Sequence, residues 1–353
     1  MPFARVEPLR DQLEALLPER PFSVRFWDGS ELPATNGGGP GFRVRGPQAV
    51  AHVLRAPGQL GLGRAYVSGE IEVDDLDATM RMLDSWKPPP LGGRAKRGLL
   101  LAALRACGLT RIPRAPLAEL KPRGKLHTLE RDRRAVRHHY NGSNDFFALF
   151  LDRSLTYSCG IFSRGASSLE EAQETKLELI CTKLGLEPGQ RVLDVGCGWG
   201  SFAIHAAQRH GVSVVGITLS EPQAELARRR AAQAGVAERV EFRVADYREL
   251  ADDPFDAIAS IGMVEHVGEQ QIDVYARQLA RLLRPCGRLL NHGLARLRHD
   301  GHVAGPFSER YVFPDGDPRP LSRVLLALER AGFVTGHVEG FAGDYVETLR
   351  QWA

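Results

Sequence analysis

Asp194, Gly196, Gly198 and Gly200 close an apolar run, Val192 to Val195, inside the stretch RVLDVGCGWGSFAIH at 191–205. A carboxylate and three glycines at alternate positions, followed at once by a helix-forming segment, make a loop suited to a nucleotide-type cofactor. Glycine reaches positive φ at little cost and lets the backbone approach a ligand closely. The helix that follows turns its N-terminal dipole toward the same crevice. The order of the glycines narrows the ligand. A dinucleotide fingerprint requires G-x-G-x-x-G and an acidic residue about 20 positions on. Here Ser201 stands where the third glycine would be, and Thr218 and Ser220 close the next apolar run, Val212 to Leu219. Taken alone, the loop is also compatible with a tight glycine turn that binds nothing.

The elements that must position this loop are a regular alternation. The pattern predicts helices over 168–184, 200–209, 220–234 and 270–284, and strands over 191–195, 212–217, 239–244, 256–261 and 287–292. Strands alternating with helices of that length form a parallel sheet covered on both faces, with ligands beyond the strand C-termini. The fold class expected is therefore α/β, Rossmann-like, from about residue 128 to 353. A smaller α+β domain over 1–86 precedes it, with an amphipathic helix at Glu7 to Leu17 and strand-like pieces at Phe22 to Trp27 and Gly41 to Val44. Lys87-Pro-Pro-Pro opens a basic linker, 87–127, that carries an apolar helical candidate, Leu99 to Leu109.

The chain has 353 residues, 43% hydrophobic and 25% charged, an ordinary composition for one large and one smaller domain. Its net charge of +3 hides an asymmetry, because Gly92 to Arg137 holds 13 Lys/Arg against 3 Asp/Glu. Such a strip suits an anionic partner, and a solvated linker is the bland reading. Arg131, Arg133, Arg134 and Arg137 are the arginines expected to meet anionic lipid. No aromatic interleaves the basic residues, so nucleic acid is disfavoured as a partner. The five cysteines, Cys107, Cys159, Cys181, Cys197 and Cys286, are an odd set without C-x-x-C spacing. That argues for a reducing compartment and against both a disulfide framework and a metal site. No run of 18 apolar residues is present, and the N-terminal helix does not read as an export signal. The expected location is the cytoplasm, at the inner face of the membrane.

Six motifs stand in order at the predicted strand ends: HHYNGSNDFFALFLDRSLTYSCGIF (138–162), VLDVGCGWGSFAIHAA (192–207), GITLSEPQ (216–223), ADYREL (245–250), IGMVEHVG (261–268) and RYVFPDG (310–316). The glycine loop resembles motif I of the S-adenosylmethionine (SAM) methyltransferases. The whole set resembles the cyclopropane-fatty-acyl-phospholipid synthases and the related mycolic-acid cyclopropane synthases. The segment LGLGRAYVSGEIEV in the first domain is similar to the N-terminal domain of the phospholipid enzymes, which points to membrane phospholipid as substrate.

The resemblance implies a class I SAM-dependent methyltransferase domain and a cofactor site. Asp194, Gly196 and Gly198 would cradle the methionine part, Tyr157 and Ser158 would close over it, and Thr218, Leu219 and Gln223 would hold the ribose region. Tyr247 and Ile261 would flank the adenine, where an aromatic face next to a ring or a sulfonium gains about 1 kcal/mol or more. It also implies methylene transfer to the double bond of an unsaturated acyl chain. Attack of the olefin on an electrophilic methyl leaves a carbocation that must lose a proton to close the ring. In the family a bound bicarbonate ion takes that proton, and the matching residues are Cys159, Glu265, His292 and Tyr345, with the backbone near Leu294. His and Tyr donate hydrogen bonds to an anion, and Glu265 can orient the acid or take a proton. Without these neighbours, Cys159 and His292 read as core residues and Glu265-His266 as a solvated pair.

Two departures from the family pattern set further expectations. Asp344 stands where a histidine precedes the tyrosine matched by Tyr345, and a charge there weakens an anion site unless it points to solvent. The sequence ends at Ala353, where family members continue into a last strand, antiparallel between the fifth and sixth; without it the neighbouring strand edges are left unpaired. Alternatives to cyclopropanation are methylation giving a methyl or methylene branch, amine methylation, and a non-catalytic lipid- or SAM-binding remnant. A homodimer is left open.

Overall fold

In a computed structural model of the chain the described residues are 5–108, 113–121, 123–140, 144–297 and 305–353. Residues 109–112 of the basic strip and 141–143 of the first motif lie outside them. The chain divides into two compact units, Met1–Glu119 with Gly305–Phe307, and Leu120–Ala304 with Ser308–Ala353.

The first unit runs α1 (Glu7–Leu16), β1 (Ser23–Arg25), β2 (Glu31–Leu32), β3 (Gly41–Val44), α2 (Pro47–Arg55), α3 (Gln59–Val67), β4 (Ile71–Val73), α4 (Leu76–Ser85) and α5 (Gly93–Cys107). Its four strands lie in the order β2-β1-β3-β4, with β1 and β3 parallel and the outer pairs antiparallel. Leu9 of α1, Val24, Phe26, Leu32 and Val44 of the sheet side, and Ala102, Ala103 and Ala106 of α5 share one core. Helix α5 thus differs from the linker expected over 87–127. Its small residues let it pack closely on the core, so the charge strip begins on a folded element. Its other face presents Leu100, Leu101 and Leu104 to solvent, beside exposed Arg97 and Arg105. Farther along, Glu119 accepts both guanidinium contacts of Arg64 at 2.6 and 2.7 Å, a buried bidentate pair. The unit boundary falls after that residue, at 119, and not at 86.

The second unit contains α6 (Leu129–Tyr140), α7 (Asn144–Ala148), α8 (Leu169–Leu184), β5 (Arg191–Val195), α9 (Ser201–His210), β6 (Ser213–Thr218), α10 (Glu221–Gln233), β7 (Val240–Val244), β8 (Phe255–Ile261), α11 (Ile272–Leu282), β9 (Leu283–His292), α12 (Pro306–Tyr311), α13 (Leu321–Arg330) and α14 (Ala342–Trp352). Its sheet has the order β7-β6-β5-β8-β9, parallel throughout. Leu177, Ile180 and Phe202 pack on one face, and Ile258, Tyr275 and Leu279 on the other. That two-sided burial explains why the strands read as continuous apolar runs. Strand β9 starts earlier than the sequence pattern suggested, because its pairing with β8 slips between Phe255 and Ala257 and Cys286 turns through φ 65°. The order reverses between β5 and β8, so a crevice opens past their C-terminal ends.

The segment 333–341, between α13 and α14, pairs with no strand among the described residues, and Val334 and Val338 are exposed there. The arginines of α6 are less available than the sequence suggested. Arg131 donates to both oxygens of Asp315 at 2.6 Å, Arg133 pairs with Glu249, and Arg134 pairs with Glu130 one turn away.

Candidate active site

The glycine loop folds as its composition dictates. Gly196, Gly198 and Gly200 have φ of 83°, 53° and 84°. At Gly200 a Cβ would sit 2.5 Å from the Phe242 ring, so this glycine also allows α9 to close on the sheet. The amides of Gly196 and Cys197 both donate to the Ile217 carbonyl, at 3.0 and 2.9 Å. The first amides of the loop are therefore used within the fold. What the loop offers a ligand is close approach, above all at Gly198, where a Cβ would meet nothing within 4 Å.

One cavity in the second unit collects all ten residues expected to hold the cofactor. Asp194, Gly196 and Gly198 form its floor, Tyr157 and Ser158 come from the loop before α8, and Thr218, Leu219 and Gln223 from the end of β6 and start of α10. Tyr247 and Ile261 line the far side. Burial pushes the Asp194 carboxyl up to about 7, and its Oδ2 is buried without a partner. An orphaned carboxylate oxygen at a glycine cradle suits a ligand that brings a cation. The Thr218 hydroxyl donates to Gln223 Oε1 at 2.7 Å and accepts from the Ser220 amide, which holds that wall in place. The Tyr247 ring is buried edge-on to Tyr275 at 5.4 Å.

The four residues expected to do chemistry do not line this cavity; Tyr345 feels the charges of Glu265 and Cys159, and His292 joins them only through Lys176, whose charge Cys159 also feels. Burial pushes Tyr345 up to about 12, and Tyr157, Glu265 and Cys159 add to the rise. Burial likewise raises the Cys159 thiol to about 11, against the pull of Lys176. Glu265 is raised to about 7 by burial; its Oε1 accepts from the Leu294 amide at 3.2 Å and its Oε2 has no partner. His292 is lowered to about 4 by burial and then by Lys176 and Lys183, and its Nδ1 is also unpartnered. At neutral pH this group offers a neutral imidazole, thiol and phenol beside a carboxyl at its midpoint. Glu265 and His266 are only partly exposed, and burial disfavours the charged form of each, so they are not a solvated pair.

Asp344 does not point to solvent, and its charge reaches this group only at Cys159, where it adds to the rise of the thiol. Its Oδ1 accepts from the amides of Phe162 and Ser163, both at 2.6 Å, while the Thr348 hydroxyl accepts from the Gly160 amide at 2.9 Å. These bonds fasten α14 to the segment that carries Tyr157, Ser158 and Cys159. Tyr345 and Tyr157 then both meet the Trp352 ring, at 6.2 and 5.1 Å.

Sequence reasoning missed Lys176 and His266. Lys176 is fully buried on α8, lines the cavity, donates to Ser158 Oγ at 2.7 Å, and is pushed down to about 7 by burial. It falls on the buried stripe Leu169, Ala172, Gln173, Lys176, Leu177, Ile180. A charge in register with an apolar stripe was the available signal. His266, also in the cavity wall, directly follows Glu265 in the same motif.

A five-stranded parallel sheet in this order, with a glycine loop and an orphaned carboxylate at its switch point, defines a Rossmann-like SAM-dependent methyltransferase. The family model described as mycolic acid cyclopropane synthetase matches residues 127–353. A probable fatty acid methyltransferase of Mycobacterium tuberculosis is 39% identical over 88% of this chain and 75% of its own length. The cyclopropane-fatty-acyl-phospholipid synthase of Escherichia coli is 36% identical over 90% of this chain and 77% of its own. Among solved structures, the cyclopropane synthase MmaA2 of M. tuberculosis overlays with a TM-score of 0.59 at 33% identity, covering 62% of this chain and 81% of that one. Mycolic acid cyclopropane synthase CmaA1 complexed with SAH and CTAB gives 0.58 at 34% identity, over 62% and 81%. The chain belongs to the mycolic acid cyclopropane synthetase family.

Proposed function

We propose that this enzyme transfers a methylene carbon from SAM to the double bond of an unsaturated phospholipid acyl chain, giving a cyclopropane. The observation that carries the reading is the pair of buried, unpartnered atoms, Glu265 Oε2 and His292 Nδ1, beside a cavity lined by every residue of the cofactor set. SAM supplies, when bound, an electrophilic methyl group on a sulfonium centre. Asp194 offers it the free carboxylate oxygen, Gly198 the close approach, and Tyr247 a ring face.

A bicarbonate ion fits the adjoining group, because His292, Tyr345 and Cys159 are neutral there and a bound anion would hold Lys176, lowered to about 7 by burial, in its charged form. Such an ion would supply a base that is not itself an alkyl acceptor in competition with the olefin. Glu265, held on one oxygen by the Leu294 amide, keeps the other free to orient it. A carboxyl poised near neutrality is matched to passing a proton on.

A phospholipid substrate requires the protein to meet a membrane. No helix among the described residues is long and apolar enough to cross one. Support for surface binding comes from α5, whose exposed Leu100, Leu101 and Leu104 stand among Arg94, Lys96, Arg97 and Arg105. Apolar side chains with flanking cations suit an anionic lipid interface at the cytoplasmic leaflet. Charge reversal at Arg97 and Arg105 then weakens binding to anionic vesicles in a salt-dependent way, and unchanged binding removes this surface from the account.

The relatives named as fatty acid methyltransferases favour a second outcome, a methyl or methylene branch on the same chain. Mass spectrometry of acyl chains after reaction with unsaturated phospholipid vesicles separates the two. A gain of CH₂ with loss of the olefin supports cyclopropanation. Branch-carrying chains move the assignment to methylation, and unmodified chains overturn both.

A further inference from the structure

Helices α8 and α9 bring together a second set of chemically competent side chains on the sheet's flank, apart from the cofactor cavity. Both His205 Nε2 and His210 Nε2 converge on one oxygen of Glu178, at 3.1 and 3.2 Å. Cys181, one turn beyond Glu178 on α8, is completely buried and free, and its sulfur and one nitrogen of each imidazole all lie within 4.8 Å of one another. Such a set carries no C-x-x-C spacing, since it is assembled from Glu178-x-x-Cys181 on one helix and His205-x₄-His210 on the next.

We propose that Cys181, His205 and His210 form a structural site for a zinc-class divalent ion, with Glu178, which already meets both imidazoles, turning in as the fourth ligand. One carboxylate, one thiolate and two neutral imidazoles make a four-ligand N₂SO set of the kind zinc accepts in tetrahedral geometry. Two negative ligands balance the ion's charge, so the complex is neutral where it is buried. Metal–ligand bonds of about 2.0–2.3 Å place tetrahedral donors roughly 3.5 Å apart, so Cys181, His205 and His210 need to close by about an ångström, and Glu178, outside that trio, moves toward the sulfur as well. The Cys181 proton leaves to solvent on coordination and no electron is transferred. The half-exposed Glu178 and the partly exposed His210 give an entry path.

The position gives the ion a purpose. On α8, Gln173 and Lys176 turn toward Ser158, while Glu178 and Cys181 turn toward α9. Helix α9 begins directly after the glycine loop. A clamp between the two helices fixes the lysine-bearing helix against the element that positions the loop.

The test uses the full chain, stripped with a chelator and titrated with zinc alone and with cobalt alone. The expected result is one ion per chain and, for cobalt, a thiolate-to-metal charge-transfer band that C181S abolishes. Affinity should fall at least ~10-fold in H205Q and in H210Q, while C286S, at an exposed cysteine, matches the parent. Zinc should raise the melting midpoint of the parent and of C286S but not of the ligand variants. Absence of stoichiometric binding, affinity unchanged in both histidine variants, or cobalt bound without the thiolate band overturns the proposal. Should a histidine or cysteine variant fail to fold, E178Q, altered at the half-exposed ligand, decides by the same affinity criterion.

Discussion

The site is made of polar groups held away from water and left one partner short. Asp194 and Glu265 are raised to about 7 and Lys176 lowered to about 7 by burial, which is costly unless a ligand compensates. Because a cation beside Asp194 favours its ionised form, SAM affinity should rise as pH increases through about 7. Calorimetry at pH 6 and 8 checks this, with proton release on binding at the lower pH; a flat profile dissociates Asp194 from the cofactor. At Gly196, φ is 83° and a Cβ would touch Met263 at 3.4 Å. Gly196→Val places a β-branched residue in a conformation that costs about 1–3 kcal/mol and fills the loop, so SAM affinity should drop at least ~10-fold. Affinity equal to the parent's would remove the loop from the cofactor site.

At the scale of elements, what was legible in the sequence was what periodicity and glycine spacing encode. Strands β5, β6, β7 and β8 and helices α8 to α11 fall within a residue or two of the expected ranges, since each is a clean apolar run or stripe between turn residues. The beginning of β9 was not legible, because Pro285-Cys286-Gly287 reads as a break and the chain passes it as a slip in register. Nor was the role of α5: a basic segment after three prolines looks like a linker, and only packing shows that its alanines are core. The cofactor residues were legible through motifs at strand ends. Lys176 was not, because a lysine on a helix is ordinarily solvated. Asp344 shows the same limit, since its charge reads as harmful until its two amide partners are seen. Asp344→Ala removes two part-buried bonds to a carboxylate, each worth about 1 kcal/mol or more. The melting midpoint should fall by several degrees, and turnover should fall with it because Tyr345 and Tyr157 lose their common anchor. A parental midpoint would show that α14 is held without the Asp344 bonds.

For the whole molecule, the same buried groups make stability depend on pH in two opposite ways. Asp194 and Glu265 keep protons in the fold that the unfolded chain has released, so stability falls between about pH 4 and 7. Lys176 has lost in the fold a proton that the unfolded chain keeps, so stability rises from about pH 7 toward 10. Each group contributes a slope of at most ~1.4 kcal/mol per pH unit; His292, lowered to about 4, offsets part of the fall below about pH 6.5, and these four groups together stabilise the ligand-free protein least near neutrality. Lys176→Met should raise the melting midpoint at pH 7 and flatten the rise above it; an unaltered profile would mean that Lys176 is not buried as a neutral amine. In the function proposed above, cofactor holding and proton handling reside in adjacent but separate groups. Glu265→Gln tests it most directly, with SAM affinity measured by calorimetry and methyl-label transfer to unsaturated phospholipid measured on the same preparation. The account predicts parental SAM affinity with transfer reduced about 100-fold, whereas parental transfer, or affinity and transfer lost together, would contradict it.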